Sequence, residues 1–153
     1  MKLQIRMLGL QELARQCRKI GDAGDAILEK GLSDAAHIVR DETERQAPVG
    51  DQVHYPLFTS STGGKFTPLS KVRRPGYLKK SIVVQKIKTK ELSNAAATFH
   101  VGPHRGAFYG YFLEWGTRKM KANRFASRAF DYSQDRALEA ANTAVRDGLD
   151  KVK

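Results

Sequence analysis

The chain has one cysteine, Cys17, and one tryptophan among its 153 residues. A single thiol cannot close an intramolecular disulfide, so neither a disulfide-stapled secreted scaffold nor a Cys-rich zinc site is available. Long hydrophobic runs are missing too. Nowhere do 18 apolar residues follow one another, and the start of the chain carries Lys2 and Arg6 without the apolar stretch of a signal peptide. No membrane contact is implied, and the chain is expected to be cytoplasmic when made. Acidic residues are the third shortage: 16 Asp and Glu stand against 27 Lys and Arg, a formal net charge of +11. Self-repulsion of that size favours anionic partners.

The basic excess is uneven. Between Lys71 and Lys90 stand Lys71, Arg73, Arg74, Lys79, Lys80, Lys86, Lys88 and Lys90, with no Asp or Glu among them. Such a run is either a solvated surface or a face for DNA, RNA or an acidic protein. A small basic nucleic-acid-binding protein is therefore one functional reading. It lacks a recognition-helix signature and a paired aromatic platform.

Hydrophobic spacing outlines a single domain spanning 1–153. Leu10, Leu13, Cys17 and Ile20 suit one side of a short helix that stops near Gly21. A long helix follows, with Asp25 as a candidate cap and Ile27, Leu28, Gly31, Leu32, Ala35, Ile38 and Val39 as its apolar stripe; Arg40, Asp41, Glu42, Glu44 and Arg45 are expected to solvate the rest. Pro48 ends it. Residues 51–72, rich in Ser, Thr and Gly, read as a long mobile loop whose Tyr55, Leu57, Phe58, Phe66 and Leu69 would dock at times onto another surface, a neighbouring subunit being one candidate. Ser81–Lys88 and Ala95–Val101 suit antiparallel strands joined by a turn at Glu91–Asn94. Phe108–Trp115 fits a strand or a short helix, and a final helix runs from about Arg124 to Val152. The fold class is α+β: a small antiparallel sheet packed by a long N-terminal helix and a C-terminal helix, with a long loop insertion.

Tests for chemistry find little. Gly63-Gly64-Lys65 lacks the Ser or Thr and the first glycine of a phosphate loop. His100 and His104 are separated by Gly102-Pro103, which breaks any helix that would aim both at a metal. Cys17 lies on an apolar stripe, where a thiol is inert packing. No metal or cofactor is expected. Glu114, between Leu113 and Trp115, is either partly buried and paired, with Arg118 or Lys119 in reach, or sits at an interface. A hydrolase would need a second acid and a cleft around Glu114.

The stretch Tyr109-Gly110-Tyr111-Phe112-Leu113-Glu114-Trp115-Gly116-Thr117-Arg118-Lys119, with Ala122, Phe125 and Ala129 after it, resembles the signature of the tailed-phage head-tail joining proteins, also called neck or tail-completion proteins. Upstream, Ala47-Pro48-Val49-Gly50 and Gly76-Tyr77-Leu78-Lys79-Lys80-Ser81-Ile82 are similar to a second motif, in which a helix ends in Ala-Pro and a Gly-x-Leu-basic-x-Ser-Ile run enters the sheet. Here Asp51 to Arg74 separate its two halves, and Arg124-Phe125 stands where Pro-Phe is common. The resemblance covers roughly Leu28 to Phe130. It implies a virion protein without catalysis, assembling with itself as a six-fold ring between the connector of the capsid and the tail terminator or tail tube. It also marks Pro48, Gly76, Leu78, Ser81, Tyr109, Glu114, Trp115, Gly116, Thr117 and Phe125 as motif and interface positions. In such a ring Lys71, Arg73, Arg74, Lys79 and Lys80 are expected to lie near the genomic DNA.

Overall fold

The computed structural model describes Leu3, Gln4, Arg15, Cys17 and residues 21–50, 58–60, 66–68, 74–87 and 97–152. Its elements run β1 (Leu3–Gln4), α1 (Asp22–Gln46), β2 (Phe58–Ser60), β3 (Phe66–Pro68), α2 (Tyr77–Lys80), β4 (Ile82–Ile87), β5 (Thr98–Pro103), α3 (Gly110–Trp115) and α4 (Phe125–Asp150), with a 3-10 turn at Arg105–Ala107 before α3. The α+β class holds: β1, β5 and β4 form an antiparallel sheet in that order, and two long helices accompany it.

The helix α1 lies against β4 and β5 and pairs along its length with α4. Small residues permit that pairing. A Cβ on Gly31 would sit 2.8 Å from Val145 Cγ2 and 3.1 Å from the Ala141 carbonyl oxygen, and one on Gly148 would meet Ile27 at 2.6 Å. The contacts of residue 27 with 148 and of 31 with 145 make the pair antiparallel. Ala35, Ala36 and Val39 of α1 and Ala137 and Ala141 of α4 share one core with Leu78, Ile82, Val101 and Phe125. Cys17, in helical backbone, packs with Leu28, Val145 and Leu149 in a second cluster. Burial first, and then the Asp25 carboxylate, push its thiol pKa up, which disfavours the reactive thiolate.

Several expectations need correction. Asp25 does not cap α1; Gly21 does, at φ 68°, and Asp22 and Asp25 fall in the first turn, where carboxylates favour the helix dipole. Glu42 is not a solvated residue but a buried one, 4 % exposed. It accepts from Arg45 and Gln46 and, at 3.5 Å, from Arg136 of α4, and three residues after Val39 it continues the buried stripe of Leu28, Gly31, Ala35 and Val39. The segment 51–72 is not featureless: β2 and β3 pair antiparallel through Thr59 and Thr67. Three-residue strands are too short to show alternation, although Phe and Thr favour them. The second sheet strand begins at Thr98 and runs through Pro103, later than the alternation suggested, with Ile82 opposite Pro103 and Val84 opposite Val101. Val152 falls beyond the end of α4 and is exposed. The Glu91–Asn94 turn, Gly63-Gly64-Lys65 and the remainder of the first helix lie outside the described residues.

Candidate assembly site

From Gly110 to Trp115 the undecided segment is a short helix, α3, and its two faces do different jobs. Gly110 packs inward so closely that a Cβ would be 2.8 Å from Leu78 Cδ1. Leu113 packs on the core, and Glu114 is fully buried. On the other face Tyr111, Phe112 and Trp115, joined by Phe108 from the turn just before the helix, are 44–58 % exposed. Phe108 meets Phe112 edge to face at 6.2 Å, and Tyr111 meets Phe112 at 6.3 Å. An apolar row exposed on a polar chain makes this segment the candidate assembly site.

Glu114 holds this helix in place. Its carboxylate accepts the backbone N–H of Ala126 at 2.8 Å, the N–H of Ser127 at 3.0 Å and the Ser127 hydroxyl. These are the first donors of α4, which has no capping side chain of its own: Arg124 occupies the cap position in a left-handed conformation, φ 55°. A carboxylate 12 residues upstream thus does what an N-cap side chain does elsewhere. The backbone reinforces it, with Asn123 N–H donating to Leu113 O and Arg124 N–H to Glu114 O. The paired alternative is therefore the observed one, but the partners are helix N–H groups and a serine, not Arg118 or Lys119. Both oxygens of Glu114 are engaged.

The neighbouring motif residues complete the same corner. Gly116 has φ 76° and ψ −179°, a conformation for glycine, and a Cβ there would lie 2.7 Å from Met120 O and Ala122 N. Thr117 N–H donates to Met120 O, Met120 N–H returns the bond, and the Thr117 hydroxyl accepts from Lys119 N–H. Phe125 is fully buried at the start of α4. The second motif is built in the same way. Gly76 caps α2 at φ 77°, Leu78 enters the core, and buried Ser81 donates its hydroxyl to Leu78 O while its carbonyl accepts from His104 N–H. Pro48 follows Ala47, whose extended ψ of 128° ends α1. Tyr109 is half-buried against the core. Of the motif positions only Trp115 and Thr117 are exposed.

The basic residues divide. Arg74 and Lys80 are exposed and Lys79 half-buried on α2 and its approach, Lys86 pairs with Glu29, and Lys71 and Arg73 lie outside the described residues. A second cationic group flanks α3 along the chain: from Val101 to Phe130, Arg105, Arg118, Lys119, Lys121, Arg124 and Arg128 are all exposed, and the only carboxylate is buried Glu114. His104 turns its Nδ1 to the Gly106 N–H and its ring edge-on to Tyr77. Among the described residues no three His, Cys, Asp or Glu converge on a metal position, and no helix is long and apolar enough to cross a membrane.

The family model described as Bacteriophage HK97-gp10, putative tail-component matches residues 11–116, more than two thirds of the 153 residues. The chain belongs to this family. It is a bacteriophage tail component, and the match takes in α1, the sheet strands β4 and β5, and the whole of α3 up to Gly116. Neither a curated protein nor a solved structure matches the chain. The helix N-terminus that Glu114 binds begins just beyond the matched residues. Sequence reasoning identified the aromatic density and Glu114, but missed that Ser127 would meet it; a serine two residues after Phe125 at a helix start was the available signal.

Proposed function

We propose that this tail component is a head-tail joining subunit, carried in the virion after assembly in the host cytoplasm. It closes as a six-fold ring between the capsid connector and the tail terminator or tail tube. The observation that carries the reading is the aromatic row of α3, mounted rigidly on the family's own motif. Glu114, Gly116 and Phe125 are spent on fixing the corner, and four large rings are left facing solvent beside it. A subunit that is finished only when the proteins on either side of the joint arrive has this form, and a closed ring would repeat a separate heterologous contact by rotation. Its task needs placement rather than reaction chemistry.

Disrupting the gene in the phage tests it. Filled heads and separate, normal-length tails, rejoined on adding back the intact protein, are expected; joined particles, or tails that are absent or of altered length, would contradict the proposal. Arg74, Lys79 and Lys80, with Lys71 and Arg73, are taken to line the path of the genome. Their replacement by Gln should leave particles that release DNA early, and full DNA retention would remove this part of the reading.

A further inference from the structure

The rings on α3 have a chemical setting that contact between copies does not explain. Phe108, Tyr111, Phe112 and Trp115 form one patch, and the chain that follows it presents Arg118, Lys119 and Lys121 to solvent. Glu114, the one carboxylate in this stretch, is buried, so exposed cations here meet no exposed acid of the same segment. Apolar rings bordered by cations match a surface on which apolar side chains and carboxylates stand together. A second copy is a poorer match among the described residues: where exposed Tyr132 stands with Asp131 and Asp135, its ring lies under Arg45 and Arg136. The copy carries +11 itself, and the acids of its helix pair are interleaved with cations: Asp22, Asp25, Asp147 and Asp150 share their end with Lys30, Arg146 and Lys151. Duplex DNA supplies negative charge but nothing apolar on its backbone for four rings.

We infer that this face docks a different protein of the particle, through an acidic segment that carries apolar side chains, and that it is not the contact between copies. The inference rests on the structural role proposed above for its setting. It assigns the row to the joint with a partner and leaves the ring contact to other surfaces.

A photo-crosslinking amino acid placed at Phe112 in phage-producing cells, with the adduct identified by mass spectrometry from purified particles, tests this. The expected adduct joins the protein to a different virion protein, at a peptide where Asp and Glu outnumber Lys and Arg. Reversing Arg118, Lys119 and Lys121 to Glu should cut its yield by about tenfold while the thermal midpoint stays within a few degrees. An adduct between two copies, within one chain or to DNA overturns the assignment, as does no adduct from particles that contain the protein. Absence of the protein from particles would overturn the joining function as well, so the two failures are distinguishable.

Discussion

Replacing Glu114 by Gln tests the account of the motif at its physical centre. The wild-type carboxylate accepts from two backbone N–H groups and one hydroxyl at the buried N-terminus of α4. Gln keeps one acceptor oxygen and turns an amide N–H toward a donor that already needs an acceptor. Hydrogen bonds to a charged group contribute about 1.5–3 kcal/mol each, and a negative charge at a helix start about 0.3–1 kcal/mol. The loss should be about 3 kcal/mol, which for a chain of this length lowers the thermal midpoint by about 6–12 °C. Calorimetry or urea unfolding reads it directly. Ser127→Ala alone should cost about 1 kcal/mol, and the double variant should fall short of the sum, because both changes remove the same bond. A loss under about 1 kcal/mol for Glu114→Gln, or strict additivity with Ser127→Ala, would refute the capping role.

Gly116→Ala should destabilise by about 1–3 kcal/mol through a strained backbone and a Cβ pressed on Met120 O, measured by the same unfolding assay. Gly31→Leu should cost at least about 2 kcal/mol, because the α1–α4 approach leaves no room at Val145 and Ala141, and near-native stability would show that the helices can separate freely. Glu42 gives a pH signature. The hydrogen bond from Arg45 holds its carboxyl below the usual range against the opposing effect of burial, so its stabilisation is present above the ordinary carboxylate range and is lost as pH falls through the lowered value. Between about pH 6 and about pH 2 the wild type should lose more stability than Glu42→Gln, and parallel curves would remove the argument. Tyr111→Ser with Trp115→Ser should change stability by no more than about 1 kcal/mol, since both side chains are half exposed, yet abolish complementation of the disrupted gene. Full complementation would show the row to be unused.

The parts of the fold that follow a period were legible in the sequence. The α1 and α4 stripes and the β-branched run of β4 announced themselves, because helices and strands that bury one face must repeat apolar residues at 3.6 or 2. What escaped was set by hydrogen-bonding partners. Glu42 falls on the buried stripe of α1, three residues after Val39, and the donors that make its burial tolerable, Arg45, Gln46 and Arg136 of α4, do not show in an apolar pattern. Glu114 was singled out as an acid in apolar surroundings, but its partners are backbone N–H groups, which no sequence displays. The segment 108–115 was undecidable by local pattern, since its exposed positions, Phe108, Tyr111, Phe112 and Trp115, carry the residues that usually mark an interior. That inversion, large rings at helical spacing on the outside, is the observation on which the proposed docking face rests.

The central claim concerns place in the particle, and the most direct measurement is an electron cryo-microscopy reconstruction of the purified virion at the head-tail joint. The account predicts a ring of copies of this chain between connector and tail, with α3 turned toward a different protein. Copies found along the tail tube or at its far end would contradict it, as would a joint from which the chain is missing.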